Sequence, residues 1–226
     1  MKNVFLFIAF TFSLLTFSQD RFEKIDEYLT YLNSNNKFMG SLCIREGENV
    51  VFNKAYGYAD VNKKIEADRT TKYKVGSITK TFTSVMILQL IEEKKLRLDT
   101  KLKRYFPKVA KADSISIADL LYQRTGIPDY INHDSLTTAE LNASSIKDAI
   151  YKKIEKYNSR FSPGSQFEYS NSNYYLLGGI IEKITGKSYA ENLQERIVKE
   201  IELVNTYYKT ANTNTETKEK VFIKTD

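Results

Sequence analysis

Four residues in this chain have the types and spacing for acyl-transfer chemistry. Ser77-Ile78-Thr79-Lys80 sets a hydroxyl and an amine three residues apart, and Tyr169-Ser170-Asn171 lies further on, with Tyr169 92 positions after Ser77. A serine oxygen attacks a carbonyl carbon once its proton is removed, and an amine or a phenolate can remove it. Lysine serves as the base only in its neutral form, which burial and nearby cations favour. A phenol ionised by neighbouring ammonium groups offers a second route, so these residues alone leave the base open between Lys80 and Tyr169. Asn171 supplies an amide that can hold a substrate amide or the lysine.

Neither motif is informative in isolation. With 17 Ser and 26 Lys in 226 residues, about two Ser-x-x-Lys matches arise by chance, and three occur. Ser34-Asn35-Asn36-Lys37 lies in a polar linker, and Ser144-Ser145-Ile146-Lys147 opens a Lys-rich amphipathic helix whose serines read as caps. Ser77 is distinguished by the residues on its C-terminal side. Phe82, Val85, Met86, Leu90 and Ile91 recur at helical spacing, so a buried helix is expected with Ser77 in its first turn and Lys80 on the same face. Unpaired N–H groups and the positive end of the helix dipole favour negative charge there. Tyr31-Leu32-Asn33 and Tyr130-Ile131-Asn132 also match Tyr-x-Asn. Tyr169 is set apart by its surroundings: a turn at Phe161-Ser162-Pro163-Gly164-Ser165, a short extended piece at Phe167-Glu168-Tyr169, and an apolar helix over Asn173 to Ile184.

In this order and spacing the two motifs resemble the serine β-lactamase and penicillin-binding-protein superfamily, in its class C β-lactamase, D-alanyl-D-alanine carboxypeptidase and esterase branch. The likeness extends through Gly40 to Asp60, Val75 to Asp99, Leu120 to Pro128 and Phe161 to Thr206, roughly residues 22 to 208. It implies that Ser77 is the acylated nucleophile, Lys80 its partner, Tyr169 the general base and Asn171 a substrate-side hydrogen-bonding residue. It implies no cofactor. Gln123-Arg124-Thr125-Gly126 stands where relatives often carry His-Thr-Ser-Gly, and Gly126-Ile127-Pro128 keeps the turn.

A third family motif, Lys or His, then Thr or Ser, then Gly, is not matched. Lys209-Thr210-Ala211 and Lys224-Thr225-Asp226 both lack the glycine. The expectation is therefore a chain truncated before the last strands, with the hairpin from Met39 to Tyr58 left with an unpaired edge and an uncovered face. In relatives the missing strand supplies an oxyanion-hole donor, whose loss typically costs about 10² to 10³ in kcat. The expected consequence is a poor or inactive catalyst.

Met1-Lys2-Asn3, the apolar run Val4 to Phe17 and Ser18-Gln19-Asp20 read as a secretory signal peptide over residues 1–19. This implies a periplasmic or secreted protein, without stable membrane insertion once the leader is removed. Cys43 is the only cysteine and is expected in a buried strand, so no intramolecular disulfide forms. His133, the only histidine, falls in the polar loop Asn132-His133-Asp134-Ser135. One Cys and one His leave no cluster of those ligands for a transition metal. Net charge is +6, but the lysines alternate with glutamates along helix faces and no nucleic-acid motif appears, so no nucleic-acid partner is expected; the partner that the resemblance implies is a small-molecule or peptide substrate. Oligomeric state is not indicated.

For the elements that must position these residues, the resemblance implies an α/β (α+β) fold: the N-terminal portion of a β-lactamase/transpeptidase-like fold, with a β-hairpin of an antiparallel sheet and a helical subdomain, and with the last strands missing. Helices are expected over Arg21 to Leu32, Ile117 to Tyr122, Ser145 to Tyr157, Asn173 to Ile184 and Ser188 to Lys199. The hydrolase domain is expected over 20–208, with a flexible tail at 209–226. Three functional readings are compatible with these features: a serine hydrolase acting on a peptide, lactam or ester carbonyl, an inert module binding cell-wall peptides, or an inactive fragment.

Overall fold

The computed structural model describes residues 20–133, 145–209 and 220–224. The leader expected at 1–19, residue Ser144, the polar stretch at 210–219 and Thr225-Asp226 lie outside them. The chain divides into two compact units, residues 1–73 with 223–226, and residues 74–222.

In the first unit, helix α1 (Asp20–Ser34) precedes an antiparallel hairpin of β1 (Gly40–Glu46) and β2 (Asn49–Tyr56). Gly40 pairs with Tyr56 and Ile44 with Phe52, and the register shifts after Ile44. Gly47 turns the hairpin at φ +58°, in the left-handed region that glycine adopts without a Cβ penalty. α1 covers one face of β2, with the Phe22 and Phe52 rings 5.9 Å apart. The Asp26 carboxylate accepts from the Tyr56 hydroxyl at 2.8 Å and pairs with Lys54. Those bonds, Lys54 first and then Tyr56, hold the Asp26 carboxyl below its ordinary range, while burial and then the bond to Asp26 push the Tyr56 hydroxyl up. Cys43 lies on β1 as expected, half-buried instead of buried. Beyond the hairpin come the short strands β3 (Tyr58–Asp60), β4 (Ile65–Glu66) and β5 (Lys72–Lys74), with β3 paired to β4.

The second unit is mainly helical. α2 (Thr79–Glu92), α3 (Ile117–Leu121), α4 (Ile146–Glu155), α5 (Asn171–Thr185) and α6 (Tyr189–Leu193) are succeeded by one π-helical turn at Gln194–Val198 and by the strands β6 (Thr206–Lys209) and β7 (Lys220–Lys224), the last two residues of β7 being counted with the first unit. Met86, Ile87 and Leu90 of α2 and Leu176, Leu177, Ile180 and Ile181 of α5 are fully buried, as their spacing of three and four requires. Gly179 lets α5 pack closely, because a Cβ there would lie 2.8 Å from the Phe106 ring. Ser116 with Asp119 and Ser188 with Glu191 form capping boxes at α3 and α6, and Ser145 caps α4 by accepting from the Asp148 N–H. Among the described residues, no helix is long and apolar enough to cross a membrane.

Three expectations are corrected. Ser77 does not lie in the α-helix: it sits in a 3-10 turn, Gly76–Ile78, just before α2. Gly76 at φ +51° and the Ile78 N–H to Val75 C=O bond of 3.1 Å tighten the chain there. The helix expected from Asn173 begins two residues early, with α5 starting at Asn171. The run Ser188 to Lys199 is not one regular α-helix but passes from α6 into the π-turn.

Candidate active site

Tyr169 and Asn171 meet Ser77 and Lys80 within the second unit. Ser77 Oγ lies 2.7 Å from Tyr169 Oη, and Lys80 Nζ donates to Ser77 Oγ at 3.2 Å and to Asn171 Oδ1 at 2.8 Å. Tyr169 Oη also donates to Asn171 Oδ1 at 3.4 Å. The four side chains form one connected group, so the two motifs expected to cooperate are in contact. Ser77 is exposed, Tyr169 is 45% exposed, and Lys80 and Asn171 are half-buried. A serine hydroxyl open to solvent with a lysine amine in contact with it is accessible to a ligand arriving from outside.

Aromatic rings flank the lysine. Lys80 Nζ is 4.8 Å from the centroid of Tyr169 and 5.6 Å from that of Tyr174, within cation–π range. Tyr174 is fixed from both sides, its hydroxyl donating to the Leu121 carbonyl at 3.2 Å and lying 3.1 Å from Ser84 Oγ. Farther along α2, Thr83 Oγ1 is 2.8 Å from the hydroxyl of Tyr189 on α6. The helix carrying Lys80 is thereby tied to the elements around it.

The segment carrying Tyr169 and Asn171 has no regular structure of its own before α5, and it is held by the loop 123–130. Gln123 Oε1 accepts from the Ser170 N–H at 3.0 Å and from Asn173 Nδ2 at 2.5 Å, while the Gln123 carbonyl accepts from the Glu168 N–H at 3.0 Å. Thr125 Oγ1 donates to Asn173 Oδ1 at 2.6 Å. Ser172 Oγ donates to the Pro128 carbonyl at 2.6 Å and accepts from the Tyr130 N–H at 3.0 Å. Asp129 accepts from both the backbone and the side-chain amide of Asn171. Gln123, Thr125, Ser170, Ser172 and Asn173 are all buried, where a lost partner costs about 1–3 kcal/mol. Gln123 adopts φ +60°, a left-handed conformation uncommon outside glycine and asparagine. Gly126 at φ +77° passes so close to the 159–161 segment that a Cβ would lie 2.7 Å from the Phe161 carbonyl.

Sequence reasoning missed Gln123 and Asp129 as partners of the Tyr-x-Asn segment. The only local signal is the turn at Gly126-Ile127-Pro128, which stops one residue short of Asp129. His133 is exposed as expected, its ring edge-on to Tyr157 at 5.2 Å and outside the Ser77 group. Among the described residues, no cluster of three or more His, Cys, Asp or Glu is arranged to hold a metal ion.

Comparison with known proteins places the chain. The family model described as Beta-lactamase matches residues 34–222. Protein flp of Staphylococcus aureus (strain NCTC 8325 / PS 47) is 36% identical over 178 residues, covering 76% of this chain and 35% of that protein. Teichoic acid D-alanine hydrolase of S. aureus is 30% identical over 194 residues, covering 83% of this chain and 44% of that protein. The chain therefore spans less than half the length of these curated relatives. Among solved structures, FmtA of S. aureus superimposes with a TM-score of 0.73 at 25% identity, covering 91% of this chain and 61% of that one. D-amino acid amidase of Ochrobactrum anthropi SV3 does so with a TM-score of 0.70 at 27% identity, covering 80% and 50%. The mixed α/β fold of helices with small antiparallel sheets is the one these neighbours share.

Proposed function

The chain belongs to the Beta-lactamase family, and we propose that within it the chain is a serine hydrolase working through an acyl-enzyme at Ser77. The observation that carries this is the pair of contacts on one oxygen: Ser77 Oγ at 2.7 Å from Tyr169 Oη and 3.2 Å from Lys80 Nζ. Ser77 Oγ attacks a carbonyl carbon, its proton passes to Tyr169 Oη, and a new C–O bond forms. Lys80 Nζ donates to Ser77 Oγ at 3.2 Å and lies 4.8 Å from the centroid of the Tyr169 ring. The bond to the amine or alcohol leaving group then breaks, and the leaving group takes the proton from Tyr169. Water adds to the ester, releasing the acid and restoring the serine hydroxyl. Asn171 Oδ1 accepts from Lys80 Nζ and so holds the lysine beside Ser77.

The substrate class is a peptide, lactam or ester carbonyl. Support for an acyl-D-amino-acid type of substrate comes from the names of two relatives, a teichoic acid D-alanine hydrolase and a D-amino acid amidase. A periplasmic or secreted location accords with the leader read at 1–19.

The test is the intact mass of the purified chain after exposure to a fluorophosphonate and to a penicillin. A stoichiometric adduct that disappears in Ser77→Ala is expected. A folded chain that forms no adduct, or one whose adduct persists in Ser77→Ala, overturns the proposal. Reversible binding of a cell-wall peptide by a chain that forms no adduct would favour the inert binding module.

A further inference from the structure

Asn171 has two chemically different ends, and only one of them faces Lys80 usefully. Its Oδ1 accepts from Lys80 Nζ at 2.8 Å, while its Nδ2 donates to Asp129 Oδ1 at 3.2 Å and to Asp129 Oδ2 at 3.0 Å. An amide can rotate by half a turn with little change in shape, which would turn its NH₂ toward the ammonium group and bring donor against donor. A carboxylate only accepts, so with Asp129 on the far side the amide has one satisfied orientation. The backbone fixes the same pair, since the Asn171 N–H donates to Asp129 Oδ1 at 3.3 Å at the start of α5.

Asp129 is itself held in place. Its oxygens accept from the Ile131 N–H at 3.1 Å and from Asn132 Nδ2 at 2.6 Å. The flanking Pro128 carbonyl and Tyr130 N–H are both bonded to Ser172 Oγ. No direct contact with Ser77 or Tyr169 is involved.

We infer that Asp129 is a positioning residue for the proposed reaction: it fixes the orientation of the Asn171 amide so that its oxygen, and not its nitrogen, faces Lys80. This inference rests on the acyl-enzyme reading above for its kinetic consequence, whereas the orientation itself does not depend on that reading. Asp129→Asn is the informative variant because it keeps shape and one acceptor while adding an NH₂ that can donate to a rotated Asn171.

The experiment measures the rate of fluorophosphonate adduct formation by intact mass for the parent chain, Asp129→Asn, Asn171→Ala and the double variant, with thermal melts of each. Nuclear magnetic resonance of the side-chain amide of Asn171 is recorded in the parent and in Asp129→Asn. The expected result is at least a tenfold slowing by Asp129→Asn in the parent background and less than a twofold further slowing in the Asn171→Ala background, as for residues that act through one another. The Asn171 amide resonances shift at the same time. An unchanged rate, or an equal slowing in both backgrounds, overturns the inference. If the parent chain forms no adduct, the acyl-enzyme reading fails, and the resonances alone decide the orientation: a shift in Asp129→Asn supports it, and unchanged resonances overturn it.

Discussion

Ser77 and Lys80 are brought together by a single turn of chain, whereas Tyr169 and Asn171 are held by a loop more than forty residues earlier. In the first half, spacing does the work: residues three apart at the start of a buried helix share a face, and the apolar positions of α2 fix which face that is. In the second half, the backbone from Phe167 to Ser170 is irregular, and its geometry comes from side chains at Gln123, Thr125 and Asp129. The first half is thus anchored by apolar packing, with chemistry on an exposed edge. The second half is anchored by buried hydrogen bonds, each dependent on a partner.

This contrast predicts different responses to mutation. The largest kinetic effect is expected from Lys80→Ala and Tyr169→Phe, each slowing Ser77-dependent adduct formation by about 10² to 10⁴. Unfolding stability should change by less than about 1 kcal/mol in both. A collapse in melting temperature on removing Lys80 would show that the helix half also depends on its polar contacts.

Gln123→Leu should affect rate and stability together. It leaves the Ser170 N–H and Asn173 Nδ2 buried without their acceptor, at about 1–3 kcal/mol each. A loss of about 3 kcal/mol is expected, or roughly 6–12 °C in melting temperature for a domain of this size. A variant that melts with the parent would remove the loop as the support of Tyr169 and Asn171.

The smallest effect comes from an anchor away from the site. Glu93, at the end of α2, pairs with Arg196 and Lys95, and these bonds, Arg196 first, pull its carboxyl down to about 2. A folded value below the ordinary one means that the contribution is present at neutral pH and is lost as pH falls through about 4.5 toward 2. The carboxylate is about one-third exposed, so solvent screening limits Glu93→Gln to about 0.5–1 kcal/mol. The difference from the parent should vanish near pH 2 in denaturant titrations, with the adduct rate at neutral pH unchanged. A slower adduct rate would mean that the far end of α2 influences Ser77.

How much of the molecule can be read from its sequence divides along the same line. The burial of Met86, Leu90, Leu176, Leu177, Ile180 and Ile181 is a consequence of periodicity, and the cap at Ser145 of residue type; Val85, expected with Met86 and Leu90 on the buried helix, is exposed, and Ile87 is buried instead. The fold class is legible in the family motifs. The 3-10 turn at Ser77 is less legible because it depends on the φ of Gly76, and the early start of α5 because the Asn171 N–H finds its acceptor at Asp129 instead of in the local chain. Lys80 lies between two tyrosines of which only Tyr169 belongs to a motif. Gln123 reads in the sequence as a departure from its relatives' pattern, yet its side-chain oxygen joins Ser170 to Asn173. No local pattern reveals a bond that spans 47 or 50 residues.

The hydrogen bonds between 123–130 and 168–173 also bear on motion. They join two short segments at several successive residues, so breaking one leaves its neighbours misaligned, and they open as a unit more readily than singly. Tyr169 would then leave Ser77, and Asn171 leave Lys80, together instead of one at a time. A ligand gripping either of them would suppress the opening of both, so occupancy and local order would rise together around Ser77.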